Sequence, residues 1–168
     1  MSHALVQNTL SAAVASRIEA ETPADATGVE ALIMAAFGPG RYAKTAERLR
    51  EGSRATAGFI ARRDGRIVGS VRLWPVVVGE TPGLFLGPIA VDAAVRSDGL
   101  GAELVQACID AARTAQAGGV LLVGDRAYFE RFGFVAAPEA RLPGPVDRRR
   151  VLWLAIGADT VSGPVRIG

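Results

Sequence analysis

One stretch of the sequence, residues 86–102, constrains the fold more than any other. It opens with Leu86-Gly87-Pro88-Ile89-Ala90-Val91, an apolar run typical of a strand that is buried on both faces. Because Pro88 has no N–H for a neighbouring strand, it predicts a bulge, or a splay where that neighbour separates, and leaves the amides of Ile89 and Val91 free. We therefore predict a strand over residues 84–91, at the centre of a sheet.

The stretch continues as Arg96-Ser97-Asp98-Gly99-Leu100-Gly101-Ala102. Gly99 and Gly101 allow positive φ and a close approach of the backbone, and apolar residues at helical spacing predict a helix over residues 100–115. A helix that begins beside such a turn presents unpaired N–H groups and the positive end of its dipole. An anion such as a pyrophosphate fits there, with Arg96 adding a charge-assisted contact.

A glycine turn is also found in plain connectors. The turn here lacks the third glycine of the dinucleotide-binding fingerprint, and the chain has no Gly-Lys-Ser/Thr, so neither of those nucleotide sites is predicted.

Length and composition fit one domain. The chain has 168 residues, of which 49% are hydrophobic, and we place an N-terminal arm at residues 1–15 and a single domain at residues 16–168. A net charge of +2 does not by itself predict a nucleic-acid partner, and no apolar run is long enough to predict a membrane span. The single cysteine, Cys108, fits a reducing, cytoplasmic location. We expect a monomer or a homodimer.

The order of predicted elements extends the argument along the chain. A short strand at residues 17–21 leads through Thr22-Pro23, an N-cap with proline at the first helical position, into two short helices. Asp64-Gly65 predicts a hairpin turn between two strands. The strand at residues 84–91 and the long helix follow. Residues 120–123 then form a strand, residues 127–132 a short helix, and residues 134–136 and 151–156 the last strands.

A strand, R-x-x-G-x-G and a helix in this order resemble the GNAT superfamily of N-acetyltransferases. The segment Gly124-Asp125-Arg126-Ala127-Tyr128-Phe129-Glu130-Arg131-Phe132-Gly133-Phe134 is similar to the late helix of that family, which ends in Gly-Phe. Together with residues 86–91 it looks like a bacterial subgroup described as predicted N-acetyltransferases. The resemblance implies an α/β fold: a central, mostly antiparallel mixed sheet, splayed at the fourth strand and flanked by helices.

The resemblance also implies a donor and a mechanism. In the family, the glycine turn binds the pyrophosphate of acetyl-CoA and the splayed strand pairs with its pantetheine. An amine then attacks the thioester directly, and the backbone amide of Ile89 would stabilise the oxyanion. The implied cofactor-binding residues are Ile89, Ala90, Val91, Arg96, Ser97, Asp98, Gly99, Leu100, Gly101 and Ala102.

Two positions depart from the family pattern. Asp98 places a negative charge in a turn proposed to hold a pyrophosphate, and we expect its side chain to point to solvent. Phe129 stands where the family has the tyrosine that protonates the departing thiolate. The neighbouring Tyr128 is the candidate for that role, and an aromatic that anchors the helix is the alternative. Glu80 and Asp92 are the candidate bases, with solvated loop residues as the alternative.

Other functional classes receive less support from the residues. His3, the sole histidine, lies in the predicted arm, so no metal site and no histidine-based nucleophile are predicted. Cys108 falls on the apolar stripe of the long helix, which predicts a core position. Two readings stay open beside the enzyme: a non-catalytic acyl-CoA-binding or regulatory module, and nucleic-acid binding through Arg148-Arg149-Arg150, a run more often found as a solvated loop.

Overall fold

The computed structural model describes residues 17–168; the predicted arm and His3 lie outside them. The helices are α1 (Ala26–Phe37), α2 (Thr45–Arg50), α3 (Leu100–Thr114) and α4 (Arg126–Phe129). The strands are β1 (Ile18–Ala20), β2 (Ala57–Arg63), β3 (Arg66–Val78), β4 (Thr81–Val91), β5 (Gly119–Val123), β6 (Val135–Ala136), β7 (Ala140–Arg141), β8 (Val151–Ala155) and β9 (Gly163–Ile167).

The strands form one mixed sheet in the order β1-β2-β3-β4-β5-β8-β6. Along this path the pairs are antiparallel except for β4 and β5, which run parallel. Off the path, β9 pairs antiparallel with β3 and parallel with β7. The connection between these two strands contains α3, as a parallel pair requires a crossover. Helices flank the sheet, and the predicted fold class is confirmed.

The two faces of the sheet are covered by different helices. Leu104, Cys108 and Ile109 on α3 pack in one buried cluster with Ala61 of β2. Val29, Leu32 and Ile33 on α1 pack in another with Ile60 of β2 and Ala90 of β4. Ile60 and Ala61 are consecutive in a strand, so they point to opposite faces. The core position predicted for Cys108 is confirmed, and burial raises the pKa of its thiol.

Local sequence signals account for several boundaries. The Thr22 amide donates to the Asp25 carboxylate across the turn that leads into α1, which confirms the predicted cap at Thr22-Pro23. Asp64 and Gly65 both have positive φ, as a two-residue hairpin turn requires. No helix in the described residues is long and apolar enough to cross a membrane.

Three strands differ from the sequence-based prediction, and one of them is β7, which lies in a predicted loop. β4 begins at Thr81 rather than at residue 84, because Val78 pairs with Thr81 and the hairpin turn takes only Gly79 and Glu80. The strand predicted at residues 151–156 is not the last one, because β9 follows it. β9 pairs with β3 at Val76–Val78, beyond the point where β2 stops pairing at Leu73.

Candidate active site

The sheet opens between β4 and β5. The two strands pair only at Leu84 with Val120 and at Phe85 with Leu121. On the other side of β4, Leu86 lies opposite Leu73 and Ile89 opposite Val71, so Gly87-Pro88 forms a bulge. The bulge and the separation of strands predicted at Pro88 are therefore both present. Trp74 of β3 donates its indole N–H to the carbonyl of Gly87 and ties the bulge to the sheet.

The bulge leaves two amides of β4 directed into the opening. The Asp92 amide donates to the Val68 carbonyl of β3 at 2.8 Å. Alternate amides of a strand point to opposite sides, so the amide of Ala90 also faces β3, whereas those of Ile89 and Val91 face the side that β5 has left. Ile89 and Val91 thus offer backbone donors to an extended ligand.

The glycine turn lies at the end of this row of donors. Residues 93–98 form a 3-10 turn, and Gly99, with φ of +72°, is the N-cap of α3. Gly101 lies inside the first turn of α3, where a Cβ would come within 3.4 Å of the Tyr128 hydroxyl. Only Gly99 needs the positive φ anticipated for both glycines. The first amides of α3 remain available to an anion.

A pocket of about 630 Å³ joins the two sets of donors, and we call it the first pocket. Its lining residues are Ala36, Phe37, Ile89, Ala90, Val91, Arg96, Gly99, Gly101, Ala102, Tyr128, Phe129 and Arg131. The structure thus brings most of the predicted cofactor residues together. Asp98 and Leu100 are not among the lining residues. Leu100 is 1% exposed and packs in the core under α3, so it can serve a ligand only through its backbone.

The charge of Asp98 is neutralised by a neighbouring strand. The Asp98 side chain is exposed, as expected, and its carboxylate accepts a hydrogen bond from Arg63 at the end of β2. Hydrogen bonding and charge from Arg63 lower the pKa of Asp98. The acid that seemed unfavourable for an anion site is thus held in an ion pair outside the first pocket.

The two adjacent aromatic residues of α4 occupy different parts of the opening. Tyr128 lines the first pocket, and its hydroxyl lies near Gly101 and Val91. Arg131 stacks on the Tyr128 ring, 4.5 Å from guanidinium carbon to ring centre. Phe129 is 8% exposed, yet it lines both the first pocket and a second one beside it. Phe129 therefore lies where the two pockets meet, and Tyr128 lies toward the N-terminus of α3.

The second pocket, of about 400 Å³, opens on the bulge side of this junction and shares Phe37, Ile89 and Phe129 with the first. Its other lining residues are Arg41, Lys44, Ala46, Glu47, Arg50, Phe85, Leu86, Gly87, Pro88, Leu122, Val123, Gly124, Asp125 and Arg150. Apolar side chains and several charged groups thus surround one cavity next to Ile89.

Two carboxylates line the second pocket, and they differ in their partners. Glu47 accepts hydrogen bonds from Arg50 at 2.9 Å and from Arg41 at 3.4 Å. Asp125 follows β5 and caps α4, accepting from the Ala127 amide at 3.1 Å; the described residues give it no ion pair. Asp125 is therefore the carboxylate better placed to meet a cationic ligand.

The candidate bases suggested by the sequence lie elsewhere. Glu80 is in the exposed hairpin turn between β3 and β4. Asp92 accepts from the Ala94 amide and lies 3.6 Å from Arg66. Among the described residues that line the two pockets, neither Glu80 nor Asp92 is found. Within residues 17–168, no cluster of His, Cys, Asp or Glu is arranged to hold a metal ion.

Several residues that line the two pockets were missed by sequence reasoning. Arg131 follows Tyr128 by three residues, a spacing that places two side chains on one helix face, and this signal was available. Arg41, Glu47 and Arg50 gave no comparable signal, because they belong to short helices that only the tertiary fold brings to the bulge.

Comparison with known proteins agrees with this geometry. The model of the acetyltransferase (GNAT) family matches residues 27–134. The uncharacterized N-acetyltransferase YhbS of Escherichia coli K12 is 37% identical over 145 residues, which cover 82% of this chain and 87% of that protein.

Two solved structures are similar as well. The E. coli YhbS structure in complex with CoA has a TM-score of 0.77 at 31% identity, covering 90% of this chain and 88% of the other. A GNAT family acetyltransferase from Brucella melitensis in complex with acetyl-CoA has a TM-score of 0.71 at 30% identity, covering 90% and 94%. The chain therefore belongs to the GNAT family of N-acetyltransferases and is an acyltransferase of that fold.

Proposed function

We propose that the protein transfers an acetyl group from acetyl-CoA to a primary amine. The observation that carries this proposal is one continuous row of backbone donors: the free amides of Ile89 and Val91, followed by the N-terminus of α3 beyond Gly99, all lining the first pocket. Such a row suits an extended ligand with amide groups at one end and phosphates at the other. The CoA and acetyl-CoA held by the two similar structures support this choice of ligand.

Each part of the donor has a proposed partner in the first pocket. The pantetheine would extend β4 by pairing with Ile89 and Val91, in place of the missing strand. The pyrophosphate would lie on the first amides of α3, with Arg96 and Arg131 on either side. The backbone of Ser97, Asp98 and Leu100 belongs to the same turn.

The junction of the two pockets is the proposed site of reaction. An amine in the second pocket attacks the thioester carbon, and the amide of Ile89 donates to the oxygen that becomes negative. The new C–N bond forms as the C–S bond breaks, and CoA leaves as a thiolate. An ammonium has no lone pair for this attack, so we assign to Asp125 the removal of a proton from it, directly or through water, because Asp125 is the pocket carboxylate without a cationic partner among the described residues.

The thiolate needs a proton from another source. Tyr128 remains the side-chain candidate, although its hydroxyl lies near Gly101, at the end of the pocket proposed for the pyrophosphate. We therefore propose that Tyr128 bonds to the phosphates and that water reprotonates the thiolate, whose conjugate acid has a pKa of about 8.5. Catalysis then depends mainly on positioning. The cytoplasm supplies acetyl-CoA, and we propose that the protein acts there.

A thiol-release assay tests the proposal. Protein is mixed with acetyl-CoA and a panel of amines, and free CoA is followed with a thiol reagent while acetyl-CoA binding is measured separately by calorimetry. We expect binding together with amine-dependent release. The presence of Phe129 at the junction favours one alternative, a non-catalytic acyl-CoA-binding module, which predicts binding without release for every amine.

A further inference from the structure

The second pocket carries more positive than negative side chains. Lys44, Arg41 and Arg50 lie on the side of α2 and the turn before it, and Arg150 lies on the opposite side, before β8. Glu47 and Asp125 are the acids in the lining. The cations thus exceed the acids in a cavity whose remaining walls are largely apolar.

The arginines of this wall belong to a chain of alternating charges. Glu30 of α1 bonds to Arg72 of β3 at 3.2 Å and to Arg41 at 3.0 Å. Arg41 lies 3.4 Å from Glu47, which in turn holds Arg50 at 2.9 Å. Each inner member has an oppositely charged neighbour on both sides. Arg50 is the last member, with one carboxylate on one side and the pocket on the other.

Arg50 is held in place but has donors to spare. The residue is 9% exposed, and its guanidinium lies 5.6 Å from the centre of the Phe85 ring. A guanidinium has five N–H donors, and among the described residues the Arg50 side chain bonds only to Glu47, through Nη2. Its Nη1 lies 3.5 Å from the position that a Cβ on Gly87 would occupy, at the bulge.

The unused donors of Arg50 open to the pocket and are not sealed in the protein, so an oxyanion bound there can take the place of solvent. Burial lowers the pKa of Arg50, against the opposing effect of Glu47. An oxyanion bound by the free edge of the guanidinium would supply the missing acceptors in the bidentate geometry that arginine favours.

The position of Arg50 relative to the reaction site limits the ligand. Gly87 precedes Ile89 by two residues, so the two lie at most about 7 Å apart, the reach of a fully extended chain. A molecule with its oxyanion on Arg50 and its amine near Ile89 therefore has only a few bonds between these groups. Asp125 lines the same pocket and would face the ammonium, while Phe85 and Leu122 supply apolar contacts.

We propose that the acceptor is a small primary amine that carries a carboxylate or a phosphate, bound through Arg50 with help from Lys44 and Arg150. This inference rests on the proposed function, because it assigns the acceptor of the same transfer reaction. A carboxylate and a phosphate share the chemistry that Arg50 recognises, so the experiment includes both.

Binding to CoA-saturated protein tests the site without requiring turnover. Calorimetry compares phenylalanine with phenylalaninamide and phenethylamine, which keep the amine and the ring but lack the carboxylate. A fourth ligand, the aminophosphonate analogue of phenylalanine, replaces the carboxylate with a phosphorus oxyanion. We expect the two anionic amines to bind at least tenfold more tightly than the two neutral ones, with the tighter anion identifying the physiological group.

Variants assign that preference to residues. Arg50→Gln should remove at least tenfold of the affinity for the anionic amines, and Arg50→Lys should restore part of it. Because Arg50 is buried, its substitution can also disturb folding. Lys44 and Arg150 are exposed cations of the same pocket, so Lys44→Gln and Arg150→Gln should each lower the affinity for the anionic amines about threefold in a folded protein. Arg48→Gln and Arg148→Gln are matched controls outside the pocket and should leave the affinity unchanged.

The outcomes separate this inference from the proposed function. Equal binding of anionic and neutral amines, or no amine binding at all, would overturn the anionic acceptor, as would an unchanged preference in Arg50→Gln, Lys44→Gln and Arg150→Gln. The proposed function is judged by acetyl-CoA binding and thiol release, which neutral amines can also reveal. Release with neutral amines alone would therefore reject the acceptor class and retain the transferase.

Discussion

The two pockets that meet at Ile89 are built in different ways. The first is formed mainly by backbone donors, on β4 beside the bulge and at a helix N-terminus, and its key residues are glycines and apolar types. The second is formed by charged side chains that reach the bulge from α2, β5 and the segment before β8. We infer that the first pocket binds one ligand through backbone groups that most substitutions leave in place. The ligand of the second pocket can change when its side chains are substituted.

The largest expected effect breaks the backbone site with a side chain. Gly101→Asp adds bulk and negative charge beside the first amides of α3, and should weaken acetyl-CoA binding at least a hundredfold, or about 2.8 kcal/mol. Calorimetry measures the loss. Thr114→Asp adds the same charge at the far end of the same helix and should bind normally. Unchanged affinity in a folded Gly101→Asp protein would contradict the proposed cofactor site.

The next effect concerns a side chain of the second pocket. Asp125→Asn keeps an oxygen that can cap α4 but removes the base, so kcat should fall about a hundredfold with little change in the melting temperature. Asp147→Asn is a matched control, because Asp147 also caps a short turn and lies outside both pockets. An unchanged kcat in Asp125→Asn would contradict this role and would indicate that water accepts the proton of the ammonium.

A smaller effect distinguishes the two aromatic residues of α4. Tyr128→Phe should raise KM for acetyl-CoA about fivefold and leave kcat nearly constant, because it removes one hydrogen bond to the phosphates. Phe129→Tyr places a hydroxyl at the junction of the pockets and should raise kcat rather than change KM. Steady-state kinetics at several pH values measures both. A fall in kcat alone for Tyr128→Phe would restore Tyr128 as the proton donor.

The smallest effect concerns the neutralised acid of the glycine turn. Arg63→Gln frees the carboxylate of Asp98 and should weaken acetyl-CoA binding about twofold. The wild-type pairing lowers the pKa of Asp98, so its contribution to stability is present above the ordinary carboxyl pKa and is lost as the pH falls through the lowered value.

The difference in unfolding free energy between wild type and Arg63→Gln should therefore shrink as the solution is acidified through that range. Urea unfolding at a series of pH values measures it. Arg66→Gln removes another exposed arginine of the same hairpin and should not alter acetyl-CoA binding. A difference that grows on acidification would have the wrong sign for this ion pair.

The same contrast explains how much could be predicted from the sequence. Pro88 lacks an N–H and Gly99 permits a positive φ, so the splay, the turn and the start of α3 were readable from residue types alone. The helical spacing of Cys108 and its apolar neighbours indicated the buried face of α3. Arg50 is an ordinary residue at the end of a short helix, and its importance depends on Phe85 and the bulge at Gly87, which are distant from it in the sequence.

β9 has a consequence for the integrity of the sheet. β3 is longer than β2, and its last residues, Val76–Val78, would have no partner on that side without residues 165–167. Val76 and Val78 are buried, so this end of β3 is apolar. Without β9, its backbone N–H and C=O groups on that side would also be exposed. Such an edge is a template on which a second chain can add a strand. By pairing with Val76–Val78, β9 covers this stretch of the β3 edge.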